Sequence, residues 1–120
     1  MDTTTLSFSR RARWMASPKE MLGRAGWNLL CDRITNGAID ELDFDAILKT
    51  IEAGILSAPK RKQDAMNRCL VEIGIHFPDF TQKCVALGER LGRFDTTPVP
   101  KGCTSSYAPE WIAAVLKRKK

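Results

Sequence analysis

The sequence has no apolar run that approaches the roughly 20 residues needed to cross a bilayer. It also has no CxxC or CxxH pair, and its first residues, MDTTTLSFSRR, lack the apolar core of a signal peptide. These absences argue against a membrane protein, a secreted protein and a cysteine-based zinc site. They predict a cytoplasmic protein with no membrane partner, and the length of 120 residues predicts a single domain.

The cysteines and the single histidine show no catalytic or metal-binding pattern. The four cysteines stand far apart, at Cys31, Cys69, Cys84 and Cys103. Three of them fall on or beside apolar helix faces, where a free thiol packs as a small hydrophobic side chain. His76 lies at a predicted helix end with no nucleophile motif nearby, which favours a capping or core role. We therefore predict buried free thiols, no catalytic residue, no metal site and no cofactor.

The net charge of +5 is distributed unevenly along the chain. Residues 1–36, 59–94 and 95–120 each carry +3, whereas residues 37–58 carry −4. Basic sectors that flank an acidic one are typical of nucleic-acid binders, in which one side of the molecule faces the polyanion. A soluble protein with no nucleic-acid partner accounts for +5 equally well, so charge alone leaves both explanations open.

The clearest pattern is a helical hairpin over residues 59–93. Pro59 suits a first helical turn with Ser57 ahead of it as a cap, and Pro78 can end one helix and open the next. Gly92 is placed to take the left-handed conformation that stops the second helix. The apolar stripes at helical spacing are Ala65, Cys69, Leu70 and Ile73, then Phe80, Cys84, Leu87 and Leu91. Such a hairpin cannot bury its apolar faces alone, so further helices must stack beside it.

Further helices are predicted on both sides of the hairpin. Residues 10–17 resemble a helix end, and Ser17, Pro18 and Glu20 form a helix start with a serine cap. That helix runs to Thr35, and Asp43 is predicted to cap the next one. Residues 106–120 form the last helix. The residues predicted to face inward are Met21, Ala25, Leu29 and Ile34, then Phe44, Ile47, Leu48, Ile51 and Ile55, then Trp111, Ile112, Val115 and Leu116.

These elements predict an all-α fold of five or six helices with no strand, arranged as successive helix pairs. That organisation is typical of a HEAT-like helical repeat, or α-solenoid, and we predict one such domain over residues 1–120. Residues 1–9 are predicted to be a frayed lead-in, residues 94–106 an irregular connector and residues 117–120 a basic tail. Gly23 and Gly26 are small enough to let another helix approach closely.

Three stretches of the sequence resemble the AlkD-like DNA alkylation repair family. They are RWMASPKEMLGRAGWNLL, IEAGILSAPKRKQDAMNRCLVEIG and LGRFDTTPVPKGCTSSYAPEWI, and together they span about residues 13–112. The most specific pieces are A-P-x-R-(x)3-A-M-N and the cysteine-containing turn of the third stretch. The resemblance implies a curved stack of HEAT-like helix pairs that binds damaged double-stranded DNA. It covers the C-terminal half of the family's usual length.

The resemblance carries over no catalytic residue. In the family's glycosylases an aspartate in a W-x-x-x-D segment stabilises the cationic sugar, and that segment lies N-terminal to everything matched here. Trp27 and Asp32 are five residues apart rather than four, so the role is not transferred to Asp32. A second active-site tryptophan of the family is absent near Asn67 and Arg68. Enzymatic activity stays open, and Asp32 is the nearest substitute acid if the chain is an enzyme.

Binding residues do carry over. Arg24 matches a family arginine that faces the DNA backbone, and a helix start rich in lysine and arginine also favours phosphate. The predicted nucleic-acid-binding residues are therefore Arg24, Lys60, Arg61, Lys62 and Arg68.

Each of these residues also has a plainer explanation as a solvated or ion-paired side chain. Arg24 lies one turn after Glu20, and Arg68 lies one turn from both Asp64 and Glu72, so ion pairs within a helix would occupy both arginines.

A second functional hypothesis is a helical scaffold that binds an acidic protein or its own copy as a homodimer, because a half-solenoid exposes an apolar face. A third is a non-functional remnant that folds poorly. Trp14 and Trp27 could touch a base or sugar in a DNA-binding protein, but core packing is the favoured prediction for both.

Overall fold

The computed structural model describes residues 13–40, 42–96 and 98–119. Those residues contain helices and no strand, which confirms the predicted all-α fold. The elements are α1 (Glu20–Thr35), α2 (Phe44–Gly54), a 3-10 helix (Ile55–Ser57), α3 (Lys60–His76), α4 (Pro78–Leu91) and α5 (Ala108–Arg118), and residues 13–15 are also helical. The predicted frayed segment 1–9 and Lys120 of the basic tail lie outside the described residues.

Helix α3 lies at the centre of the fold. It packs against α1, α2, α4 and α5, and most extensively against α1. The stripe predicted for it is confirmed, because Ala65, Cys69, Leu70 and Ile73 are all buried. Full burial of one large aliphatic side chain contributes about 1.5–3 kcal/mol, so this helix supplies a large share of the stability.

Several predicted helix ends are confirmed. The Ala46 N–H donates a hydrogen bond to Asp43 Oδ1 at 3.1 Å, so Asp43 caps α2. Pro78 is the first residue of α4, where its missing N–H costs nothing. Gly92 ends α4 as predicted, with a φ of 73° and a ψ of −170°. This positive-φ conformation lies outside the left-handed helical region, and glycine adopts it without a steric penalty.

Both predicted serine caps are wrong. Helix α1 begins at Glu20, and Ser17 instead accepts a hydrogen bond from the Lys19 N–H at 3.1 Å. The Ser17 N–H closes the preceding turn on the Trp14 carbonyl, which leaves the serine two residues before the N-cap position at Lys19. Ser57 lies within the 3-10 helix and donates back to the Gly54 carbonyl at 3.3 Å, so it does not reach α3.

The predicted inward face of α1 is wrong in part. Met21 and Leu29 are 55% and 44% exposed, although Ile34 is buried as predicted. The buried residues of α1 are Gly23, Gly26, Trp27, Leu30, Cys31 and Ile34. Apolar residues occur on nearly every side of this helix, so hydrophobic spacing alone could not identify the packed side. Trp27 is a core residue as predicted, whereas Trp14 is half-buried.

Gly26 lets the segment before α1 lie directly on the helix. A Cβ at this position would lie 2.5 Å from the Met15 backbone nitrogen and 2.9 Å from the Trp14 carbonyl carbon. The close approach predicted for this glycine is therefore confirmed, and the neighbouring atoms are backbone atoms that cannot move aside independently.

Gly26→Ala is expected to lower the free energy of unfolding by about 1–3 kcal/mol, because overpacking outweighs the roughly 1 kcal/mol that alanine gains in helix propensity. Gly54→Ala is the matched control, since the nearest atom to a Cβ there is Met66 Cε at 3.8 Å. Urea denaturation measures both variants. Equal stability of the two variants would contradict the close approach at Gly26.

Helix α5 completes the core against α3 and α4. Ile112 is 1% exposed, and a Cβ at Gly74 of α3 would lie 2.7 Å from its Cδ1 atom. The other residues predicted to face inward on α5 are half-buried and pack against the core; they are Trp111, Val115 and Leu116. At the start of the helix, the Arg93 guanidinium binds both carboxylate oxygens of Glu110, at 2.9 and 2.8 Å.

The described residues of the connector between α4 and α5 form no helix. A buried side chain of α3 holds the C-terminal end of this connector in place. Asn67 is 5% exposed and donates through Nδ2 to the Ser106 carbonyl at 2.8 Å. The Ser106 hydroxyl donates in turn to Asp95 Oδ2 at 2.9 Å. The asparagine of the A-P-x-R-(x)3-A-M-N motif thus has a structural role, since it holds the connector against the core.

The cysteines are free thiols, of which Cys31, Cys69 and Cys84 are buried as predicted and Cys103 is exposed. The Cys69 thiol donates to the Trp27 carbonyl of α1 at 3.3 Å. A hydrogen bond with Cys69 lowers the pKa of Cys31, whereas burial raises the pKa of Cys84 to about 12.

His76 has neither of the roles predicted for it. It lies in the last turn of α3 with an exposed ring, and its Nε2 atom is 2.9 Å from Glu72 Oε2. Four-residue spacing places both side chains on the same face of the helix, so His76 pairs with its neighbour instead of entering the core.

Candidate nucleic-acid interface

Helices α1 and α3 enclose an open cleft of about 400 Å³. The lining residues are Arg24 and Asn28 of α1 with Arg61, Asp64, Ala65 and Arg68 of α3. Residues three, four or seven apart lie on one side of a helix, which explains why these positions converge. Three of the five residues predicted to bind nucleic acid therefore share one cleft.

The arginines of this cleft form no ion pair with the part of the chain that the structure describes. Among the described residues, no carboxylate oxygen lies within 4.0 Å of a guanidinium nitrogen of Arg24, Arg61 or Arg68. The Nη1 atom of Arg61 lies 3.9 Å from Met21 Sδ. These three positive charges are thus available to an anion from outside.

The acids that were expected to neutralise the arginines have other partners. The Glu20 carboxylate accepts the Arg61 backbone N–H at 3.0 Å. Asp64 is paired with Lys60 at 2.7 Å, and Glu72 is paired with His76 at 2.9 Å. The helix-internal ion pairs that offered the plainer explanation of Arg24 and Arg68 are therefore not formed.

Lys60 lies beside the cleft, with its charge shared between two carboxylates. Its Nζ atom is 2.7 Å from Asp64 Oδ1 and 3.1 Å from Asp95 Oδ2. The hydrogen bond to Asp64 is the main reason that the pKa of Lys60 is raised. The ammonium group joins the start of α3 to the connector.

Lys62 points to the turn that precedes α1. Its Nζ atom donates to the Ser17 carbonyl at 3.1 Å, and its stem crosses Gly23, where a Cβ would lie 2.6 Å from Lys62 Cδ. It does not line the cleft, and the structure thus brings together Arg24, Arg61 and Arg68 and places the two lysines elsewhere.

The sequence analysis did not identify Asn28 as a site residue, and it did not predict the contact that Glu20 makes. Asn28 lines the cleft one turn after Arg24, a spacing that could have revealed it. Glu20 binds the N-terminus of α3 from another helix, where a carboxylate is stabilised by the helix dipole. No local pattern reports that contact, because it depends on how α1 packs against α3.

Two structural findings bear on other kinds of site. Among the described residues, no group of three or more histidine, cysteine, aspartate or glutamate side chains is placed to hold a metal ion. In the same part of the chain, every helix is too short or too polar to cross a membrane.

Comparison with known proteins agrees with the motifs described above. A family model described as DNA alkylation repair enzyme matches residues 6–112. Comparison with curated proteins gives no match. A solved structure described as "A new family of proteins related to the HEAT-like repeat DNA glycosylases with affinity for branched DNA structures" is similar with a TM-score of 0.76 and 26% identity.

The alignment with that structure covers 92% of this chain and 48% of the other, so this chain spans about half its length. The predicted HEAT-like fold is confirmed by this match, and the resemblance seen in the motifs is confirmed by the family model. Since the model covers nearly all of the sequence, the chain belongs to the DNA alkylation repair enzyme family.

Proposed function

We propose that this protein binds DNA through the cleft between α1 and α3, as a helical-repeat module of a DNA alkylation repair protein. The observation that carries this proposal is that Arg24, Arg61 and Arg68 line one cleft and that no carboxylate of the described residues pairs with them. A guanidinium group binds phosphate oxygens through parallel charge-assisted hydrogen bonds. Three such groups on the surface of one groove form a site for the DNA backbone.

The ligand that we propose is double-stranded DNA that carries alkylation damage. Family membership supports the repair context, and the similar solved structure is described as having affinity for branched DNA structures. Contacts from arginines to phosphates fix the position of a protein on DNA without reading its sequence. Binding by this module is therefore expected to depend little on base sequence.

The proposal is restricted to binding. The sequence contains no W-x-x-x-D segment, to which the family resemblance assigns base excision. Asp32 is exposed on α1 and does not line the cleft, so we assign it no catalytic role.

A titration with a short fluorescent duplex between about 50 and 200 mM salt tests the proposal. Three phosphate contacts predict that log K falls with log salt at a slope of about −2.7. Arg24→Gln and Arg61→Gln should each weaken binding and make the slope shallower by about one. Lys49→Gln is the matched control, because Lys49 is exposed on α2 and lines a different groove.

Two results of this titration would contradict the proposal. One is binding that does not respond to salt, and the other is a slope that neither arginine substitution changes. Either result would mean that the cleft does not hold phosphate groups.

A second candidate function is self-association as a homodimer. Helix α1 exposes three large apolar side chains, Met21, Leu22 and Leu29. Exposed apolar groups on one helix favour contact with another protein surface. The same titration distinguishes the two functions, because a scaffold that only self-associates would show no salt-dependent binding of DNA.

We also propose that the protein works in the cytoplasm. Support comes from the adjacent free thiols of Cys31 and Cys69, because neighbouring cysteines stay reduced in a reducing compartment.

A further inference from the structure

The basic part of the cleft is short, and acidic residues lie at its ends. On α1, Glu20, Arg24, Asn28 and Asp32 follow one another at four-residue intervals along one side of the helix. Glu20 marks one end, where its carboxylate is bound to the backbone of Arg61. The order of charges along this side is acid, base, amide and acid.

Helix α3 presents a similar order of charges. Arg61, Asp64 and Arg68 line the cleft, and Glu72 follows Arg68 by one turn. Helices α1 and α3 run in the same direction, because Glu20 contacts Arg61 near their starts and the Trp27 carbonyl contacts Cys69 farther along. Asp32 and Glu72 thus both lie toward the Arg68 end of the cleft. The arginines therefore occupy an island of positive charge between acids of both helices.

The island is short, and a strand of DNA that ran along the groove would place only about three of its phosphates there. Arg61 and Arg68 are seven residues apart, which corresponds to about 10 Å of helix. A duplex strand carries one phosphate for about every 3.4 Å of its axis, so a backbone along the groove would continue past the arginines. Its next phosphates would lie against Asp32 and Glu72 at one end, or against Glu20 at the other.

We propose that the cleft takes a phosphate monoester dianion, the terminal phosphate of a DNA strand, in preference to an internal phosphodiester. This inference rests on the proposed function, because it names the phosphate that the same arginines bind. A monoester carries a charge of about −1.5 to −2 near neutral pH and has three terminal oxygens. An internal phosphodiester carries one charge and has two free oxygens, so it uses fewer of the donors that three guanidinium groups offer.

The charge of the cleft agrees with this ligand. Three arginines and Asp64 line it, and Lys60 is shared between Asp64 and Asp95, at 2.7 and 3.1 Å, so these four cations exceed the two carboxylates by two charges. The local excess of positive charge therefore exceeds that of one phosphodiester. Asn28 supplies an uncharged amide at the same surface, which can accept or donate a hydrogen bond to the adjoining sugar.

Competition with three unlabelled duplexes of identical sequence tests the inference. One carries a 5′-phosphate, one a 3′-phosphate and one hydroxyl groups at all of its ends. At pH 7.5 a phosphorylated duplex is expected to bind roughly tenfold tighter than the hydroxyl-ended one, the effect of an additional charge-assisted hydrogen bond. Comparison of the 5′-phosphorylated and 3′-phosphorylated duplexes identifies which terminus supplies the dianion.

The preference should shrink as the pH falls below about 6, where the monoester takes up a proton. Arg68→Gln should reduce the preference, whereas Lys49→Gln should leave it unchanged. Asp32→Asn should strengthen binding of the hydroxyl-ended duplex, because it removes one acid that bounds the island. Circular dichroism of each variant shows that the fold is retained.

The outcomes separate this inference from the proposed function. Equal affinity for all three duplexes, with binding still dependent on the arginines, would overturn the terminal-phosphate inference and leave DNA binding intact. Absence of arginine-dependent binding to every duplex would overturn both. An Asp32→Asn variant with unchanged affinities would refute the bounding role of the acids and thus the inference.

Discussion

Ile112→Ala is expected to lower the free energy of unfolding by about 2–5 kcal/mol. Ile112 is 1% exposed, and its side chain lies directly over Gly74 of α3. Glycine has no side chain that could move into the vacated space, so most of the cavity would persist. Urea denaturation followed by circular dichroism measures the loss.

Val99→Ala provides the matched control, since it also shortens an aliphatic side chain. Val99 is 49% exposed in the connector, so its substitution should change stability by no more than about 0.5 kcal/mol. A loss at Ile112 as small as that at Val99 would show that α5 does not complete the core.

Arg24→Glu combined with Arg61→Glu is expected to weaken duplex binding on the order of 100-fold at low salt. The double variant removes two positive charges from the cleft and replaces them with two negative ones. Both side chains are exposed, and the backbone N–H that Arg61 donates to Glu20 is retained. Fluorescence titration with the wild-type protein in parallel measures the effect.

Lys49→Glu combined with Lys117→Glu changes the net charge equally at exposed sites outside the cleft. A much smaller loss is expected from this pair, because screening weakens charges that lie more than about 10 Å away. If both double variants lost the same affinity, net charge and not the cleft would account for binding.

Periodicity predicted the central helices well because their environment is simple. Helix α3 is packed by neighbours on several sides, so every residue of the stripe from Ala65 to Ile73 is buried. Asp43 was predicted as a cap because its hydrogen bond is local, with a partner three residues away. Structure that depends on local hydrogen bonds or on one dominant apolar stripe can be predicted directly from the sequence.

Helix α1 shows where hydrophobic periodicity fails to predict the buried side of a helix. Its apolar residues surround the helix, and two glycines mark the packed side because other groups approach there. Glycine counts as only weakly apolar, so the hydrophobic pattern favours the side that carries Met21 and Leu29. The orientation of α1 depends on tertiary contacts that the sequence does not show.

The binding residues were predicted as a group, and helical geometry explains why the group divides. Lys60, Arg61 and Lys62 are consecutive, but each residue turns about 100° from the one before it. Arg61 therefore faces the cleft with Arg68, while Lys60 faces Asp64 and Lys62 faces Gly23. Three consecutive basic residues at a helix start therefore indicate a basic region of the surface. Only one of the three side chains faces a ligand on a given side of the helix.

The central position of α3 has a consequence for how the protein unfolds. In a regular solenoid each repeat contacts only its neighbours, so stability is a sum along the chain and the ends can open separately. Here α1, α2, α4 and α5 all lie on α3, which makes their stabilities interdependent. Detachment of any one of these helices exposes a buried side of α3 and weakens the packing of the other helices against it. The module is therefore built to unfold in one cooperative transition, as a small globular domain does.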